Sequence, residues 1–303
     1  MSLPWLTPED DFPSPRTNAD PDPEVPGLLA ISEQITSAQL QKAYQHGIFP
    51  WYSDGQPILW WSPNPRMVLK PKEFKISKNF KKDIKNILMD QSWEIRVDHN
   101  FHETILSCAT QPRMGQDGTW ITHAIMHAYG ELHAQGLAHS VETFYQGQRV
   151  GGLYCVNLGQ MVFGESMFSK RTNASKYALA SLCAWAIAQD IEMIDCQQET
   201  EHLTSLGGKP IPREDFLNHL EKKCSAKNPN SSKYALASLC SWAIAQDIEM
   251  IDCQQETEHL TSLGGKPIPR EDFLNHLEKK CSAKNPIWSF NKSVLSHWLT
   301  NNS

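Results

Sequence analysis

The pattern along the chain predicts an α+β protein, and three observations predict it. Ser140–Tyr145, Arg149–Asn157 and Met161–Ser166 are three strand-like runs separated by Gln146-Gly147-Gln148 and Leu158-Gly159, which together read as an antiparallel meander. A helix, a buried-looking strand and a second helix follow between Ser175 and Cys224. Ahead of the meander lies a smaller, mixed region of short elements broken by proline and glycine.

Each element has its own signal. Residues 1–27 are rich in proline and acid and read as an extended arm. Thr36 or Ser37 caps a helix through Ala43 and Tyr44 that Gly47 stops. Gly47–Leu69 carries Pro50, Gly55, Pro57, Pro63 and Pro65, so it is short strands and turns. Residues 77–89 read as a helix, Trp93–Val97 as a strand, and Phe101–Cys108 and His123–Gln135 as helices. After the meander a helix runs from Ser175 to about Gln189, with Leu179, Leu182 and Ala186 on one face. Met193–Cys196 reads as a strand and Arg213–Cys224 as the closing helix. The expected division is a mixed N-terminal domain over 1–137 and a second domain over 138–229.

The last third is dominated by a repeat. Asn173–Pro229 recurs as Asn230–Pro286 with two differences, Ala174 against Ser231 and Ala184 against Ser241. Solenoid repeats diverge and share only key positions, so near-identity in two copies reads as a tandem duplication. Only one copy can fill one place in a sheet. Copy one follows the meander by a short link, and docking copy two would loop out residues costing roughly 3–4 kcal/mol plus a constant. If the tail Ile287–Leu299 must dock as well, both choices loop out the same length and that advantage disappears, but synthesis order still favours copy one. Copy one is therefore expected to dock, with 230–286 an appended copy and 287–303 a tail.

Composition narrows the function classes. Of 303 residues, 40% are hydrophobic and 20% charged, and the net charge is -6, so the protein has a sizeable core and is not a general nucleic-acid coat. The N-terminus has no secretory pattern and no apolar run is long enough to span a membrane, which reads as cytoplasmic. The eight cysteines reduce to five once the repeat is set aside, and none forms a CxxC, so neither a metal nor a disulfide framework is expected. His123 and His127 share a helix face without an HExxH and read as a surface pair.

Four groups could carry chemistry. Phe49, Trp51, Tyr52, Trp60 and Trp61 fall within 13 residues beside turns, where rings can stack on splayed bases; equally, one of Trp60 and Trp61 can simply pack inward. Glu165 lies between a glycine and a serine at a strand end, open to a cleft or an ordinary strand-end acid. Asp195 and Gln197 share one face of their strand, while Ile194 and Cys196 point the other way. An acid and an amide placed so can orient an amine; alternatively Asp195 caps a turn. Cys196 has apolar neighbours and reads as structural. Lys70, Lys72, Lys75, Lys78, Lys81, Lys82 and Lys85 are the one basic concentration, either a phosphate-contacting surface or a solvated helix face.

Taken together, Gly27-Leu28-Leu29-Ala30, GIFPW (47–51), ILWWSPNPRMVL (58–69), GTWIT (118–122), AHSVE (138–142), VGGLY (150–154), GESMFS (164–169), NASK (173–176), IDCQ (194–197) and HLTSLG (202–207) resemble the leucyl/phenylalanyl-tRNA–protein transferase family. The resemblance implies transfer of leucine or phenylalanine, less well methionine, from aminoacyl-tRNA to proteins beginning with arginine or lysine, marking them for degradation. It implies a C-terminal domain like that of N-acetyltransferases, no cofactor, and no DNA or membrane partner. Matched by motif, Trp51 would stack on the terminal adenine with Trp120 nearby. Leu153, Leu179, Leu182 and Ile194 would line the side-chain pocket. Glu165, Asp195 and Gln197 would surround the acceptor amine, with Asp252 and Gln254 as their duplicates. Cys155 and Val162 depart from the family's usual glycine and aromatic residue. The competing readings are an acetyltransferase-like enzyme on another amine, which lacks its Q/R-x-x-G-x-G/A loop here, and a non-catalytic tRNA-binding protein.

Overall fold

The computed structural model describes residues 3–17, 24–111, 119–224, 239–240, 242–244, 248–253, 261 and 264–280. The chain divides into two units, 1–227 and 228–303. In the first unit the strands form two sheets. β1 (Trp5–Leu6), β2 (Leu28–Ser32), β3 (Phe49–Pro50) and β4 (Ile58–Trp61) make a four-stranded sheet in the order β1-β2-β4-β3. The proline-rich arm is thus not merely extended, because Trp5 and Leu6 pair in parallel with Ile31 and Ser32.

The second sheet has seven strands. β5 (Arg66–Leu69) and β6 (Trp93–Val97) come from the N-terminal half. The meander supplies β7 (Ala138–Tyr145), β8 (Gln148–Leu158) and β9 (Met161–Ser169), and β10 (Ile194–Asp195) and β11 (Lys209–Ile211) complete it. The order is β11-β5-β10-β9-β8-β7-β6, antiparallel except where β10 runs parallel to β9. β5 and β6 lie on the early side of residue 138, yet they pair with strands from the late side, so one sheet draws on both stretches.

The helices form where their caps and faces predict. α1 (Ser37–Gln45) begins with a capping box: Thr36 accepts from the Gln39 backbone and Gln39 reaches back to the Thr36 backbone. α2 (Lys78–Met89), α3 (Phe101–Ala109) and α4 (His123–Ala134) start on Ser77, Asn100 and Thr122 side chains that accept from the first turn. α5 (Ala174–Ala188) buries Leu179 and Leu182, and α6 (Glu201–Ser205) and α7 (Arg213–Cys224) follow β10. Gly151 lets α5 lie this close to β8, since a Cβ there would stand 2.5 Å from that of Ala174.

The sheet separates two cores. Trp60, Tyr44, Tyr129, Tyr154, Phe163, Phe168 and Phe216 belong to one. Leu153, Leu179, Leu182, Ile194 and Val162 belong to the other, under α5. In the second unit, α8 (Arg270–Lys280) repeats the sequence of α7. Among the described residues no helix is long and apolar enough to cross a membrane.

Candidate active site

The site forms where two parallel strands part. β10 and β9 pair only at Ile194 with Val162 and Asp195 with Phe163. Beyond that pair the gap is bridged by side chains: the Gln197 amide nitrogen donates to Glu165 Oε1 at 3.1 Å.

Glu165 reaches the gap because of a bulge. Gly164 pairs with Cys155 and Ser166 with Tyr154, so Glu165 is the extra residue between them. A bulge re-aims a side chain and shifts the alternation. Val162 accordingly packs in the α5 core while Phe168, six residues on, packs in the opposite one.

Three donors hold the Glu165 carboxylate. The Tyr44 hydroxyl donates to Oε1 at 2.6 Å and the Tyr129 hydroxyl to Oε2 at 2.9 Å, besides the Gln197 amide. The two tyrosine hydroxyls also touch one another. Loss of water around the carboxylate outweighs these bonds and pushes its pKa up to about 7. Burial, then the neighbouring Glu165 charge, drives both phenols well above their ordinary range, so they stay neutral donors.

Gln197 is itself placed by a buried ion pair. Asp195 and Arg66 are both fully buried. Arg66 Nε donates to Asp195 Oδ1 at 2.8 Å and Nη2 to Oδ2 at 2.6 Å, the bidentate geometry that suits a guanidinium. Its Nη1 donates to the Gly47 carbonyl at 3.0 Å, and its guanidinium lies 4.7 Å and 4.6 Å from the Phe49 and Phe216 ring centres. Asp195 Oδ1 also accepts from the Gln197 backbone N–H at 3.0 Å. That bond holds Gln197 at φ 59°, a left-handed conformation disfavoured for a residue with a side chain.

The other expected residues are distributed as follows. Leu153, Leu179, Leu182 and Ile194 meet in the single core under α5, with Cys155, Val162 and Met167 beside them. Trp60 is fully buried and donates to Ser32 at 2.9 Å, whereas Trp61 is half-buried at the edge of the same core. Trp51 is 39% exposed and meets Trp61 edge-on at 5.8 Å. The loops bearing Trp51 and Trp120 are tied by the Tyr52 hydroxyl and Thr122 Oγ1, 2.9 Å apart. All seven lysines from Lys70 to Lys85 are exposed. Cys196 is no thiolate, because burial and then the Asp195 charge raise its pKa. In copy two, Asp252 is exposed, and Gln254 lies outside the described residues.

Arg66, Tyr44 and Tyr129 were not expected at the site. A signal for Arg66 did exist: one charge at the head of the apolar run Met67-Val68-Leu69 requires a buried partner.

The family profile described as leucyl/phenylalanyl-tRNA protein transferase matches residues 68–221 and 224–278, and that of its N-terminal domain matches 33–64. The chain belongs to this family. Its relatives named leucyl/phenylalanyl-tRNA–protein transferase include one from Ralstonia pickettii, 56% identical over 73% of this chain and 90% of its own length. Others come from Cupriavidus taiwanensis, 54% identical over 79% and 96%, and Cupriavidus metallidurans, 51% identical over 81% and 99%. The separate match over 224–278 falls on the second copy of the repeat. Overlap with solved structures is loose. A GCN5-related N-acetyltransferase from Kribbella flavida covers 55% of this chain and 58% of its own at 11% identity and TM-score 0.27.

Proposed function

We propose that this chain moves a leucyl or phenylalanyl group, and less well a methionyl group, from aminoacyl-tRNA to proteins whose first residue is arginine or lysine. Membership of the family supports the reaction. The observation that carries the mechanism is the Asp195–Gln197–Glu165 arrangement across the strand gap.

The tRNA ester is already activated, so the chemistry asks for alignment more than for a strong base. A free α-amine has a pKa near 7.7–8.0, so about a tenth to a fifth of it is neutral at pH 7. The amine nitrogen attacks the ester carbon, the C–N bond forms, the C–O bond to the ribose breaks, and the proton lost by the amine ends on the departing ribose oxygen, which leaves as a hydroxyl. With Gln197 Nε2 bonded to Glu165, its Oε1 is turned to accept a hydrogen bond from the attacking amine. Such alignment contributes up to roughly 7–11 kcal/mol. Asp195 acts at one remove, since Arg66 and the Gln197 backbone occupy its oxygens. Glu165 anchors Gln197, and its charge draws the basic acceptor end. The aminoacyl side chain enters among Leu153, Leu179, Leu182 and Ile194, and Trp51 stacks on the terminal adenine with Trp120 beside it.

The test follows labelled leucine from Leu-tRNA into a peptide beginning with arginine. Q197A is expected to lose about 100-fold in rate, within the range for loss of one preorganised hydrogen-bonding group, while still binding charged tRNA. Q254A is expected to match the parent. A fully active Q197A would remove Gln197 from the mechanism, and a folded parent without transfer would favour a tRNA-binding protein.

A further inference from the structure

A second concave surface lies far along the sheet from the strand gap. A cavity of about 620 Å3 is lined by three cations, Arg149, Lys170 and Arg171, by one carboxylate, Glu103, and by Tyr145, Gln146, Gln148 and Val150. It sits between the tip of the β7–β8 hairpin and the start of α5. Lys170 follows Glu165 by five residues, so the cavity lies about 16 Å along the strand from the transfer site.

Its cations differ in role. Arg149 is balanced, paired with Glu103 and 3.7 Å from Glu142. Lys170 and Arg171 are exposed, and among the described residues neither is ion-paired to a carboxylate. In a protein of net charge -6 such a pair is a local exception. Arg171 is also preorganised: its guanidinium lies 4.0 Å from the Tyr145 ring centre and 5.7 Å from that of Trp93. A guanidinium laid on rings keeps its edge N–H groups free for phosphate oxygens.

The cavity connects to α2 through an aromatic line. Trp93 meets Tyr145 at 4.9 Å and Tyr177 at 5.5 Å, and Tyr177 stacks on Phe80 of α2 at 5.4 Å. Asn173, two residues after Arg171, donates to Asp83 of the same helix at 3.2 Å. The residues of α2 that meet this region are Phe80 and Asp83, so the uncompensated cations of the cavity are Lys170 and Arg171.

We propose that this cavity binds the sugar–phosphate backbone of the tRNA body, at a distance from the aminoacyl end. The assignment rests on the proposed transfer reaction for its ligand. Two adjacent exposed cations, one of them laid on aromatic rings, suit successive phosphates of a polyanion, and an acidic peptide is the alternative the experiment separates.

The test compares the parent with R171Q, R171E and K170E/R171E on two donors, Leu-tRNA and the leucyl ester of adenosine, alongside direct titration with charged tRNA. The double reversal is expected to raise KM for Leu-tRNA about tenfold, leave kcat within about twofold, and leave transfer from the adenosine ester unchanged. The slope of log affinity against log salt should fall by about 0.7–0.9 per lost phosphate contact. R171Q should show a smaller change in the same direction. Unchanged tRNA affinity and salt slope overturn the site, as does a KM effect confined to the acceptor peptide. A parent that transfers from neither donor would overturn the transferase reading instead, and the titration would still decide the site.

Discussion

The two copies of the repeat share their sequence and differ in almost everything that tertiary structure confers. The same stretch, REDFLNHLEKK, is helical in both, as part of α7 and as α8. In α7, Phe216 and Leu217 are 0% and 5% exposed, whereas Leu274, the counterpart of Leu217, is 49% exposed. Asp195 is buried against Arg66 in a strand with neighbours on both sides, while Asp252 is exposed and outside any strand. Helix formation is written in local propensity and survives in either copy. The strand is not: two residues of β10 exist because β5 and β9 flank them and because Arg66 needs a carboxylate.

That reasoning predicts the largest effect at the shared ion pair. D195N leaves a buried guanidinium without a carboxylate, which destabilises by about 3–5 kcal/mol. Bringing Asp252 into the same place loops out copy one for roughly 3–4 kcal/mol plus a constant. The two costs are similar, so D195N is expected to keep measurable transfer through copy two. D195N/D252N should keep none and melt roughly 10 °C below the parent, and D252N alone should be silent. Scanning calorimetry and the labelled-leucine assay read all three. A D195N protein as inactive as the double variant would show that the copies do not exchange.

The contrast between local and tertiary information also marks how far the sequence could be read. α7 was expected at its observed limits, and the Thr36 cap, the meander and α5 were all visible as capping residues, turns and periodicity. β1, β2 and β11 were not, because short strands are set by the partners they find. The placement of β5 between β11 and β10 joins segments more than a hundred residues apart, which periodicity does not encode. At the site, Glu165, Asp195 and Gln197 were legible as polar groups at strand ends. Tyr44 and Tyr129 were not, because each reads as the buried face of its own helix. The bulge that aims Glu165 had no signal beyond Gly164.

A smaller effect is expected from Glu165, whose equivalent does not exist in copy two because the repeat begins after it. Its folded-state pKa, about 7, lies above the ordinary 4.5. The stability linked to its neutral form is therefore complete below pH 4.5 and is lost as pH rises through about 7. The difference is on the order of 3 kcal/mol. The same titration restores the full carboxylate that holds Gln197, so transfer should rise between pH 6 and 8 as stability falls. E165Q is expected to flatten the stability difference between pH 5 and 8 and to leave only the acceptor amine in the rate profile. Melting and rate profiles with parallel slopes in parent and variant would place the titrating group elsewhere.

The smallest effect belongs to removing copy two altogether. If the sheet is completed by copy one, the partners described above for Arg66, Glu165 and the α5 core all remain when residues 230–286 are deleted. Transfer should stay within about twofold and the melting temperature of the first unit within a few degrees. What should change is solubility, since Ile244, Ile268 and Leu274 are each 45–49% exposed and go with the deleted segment. Light scattering against concentration measures that, and the transfer assay measures the rest. A deletion that abolished transfer would mean that copy two contributes to the working site, and the difference between the copies would then be one of division of labour.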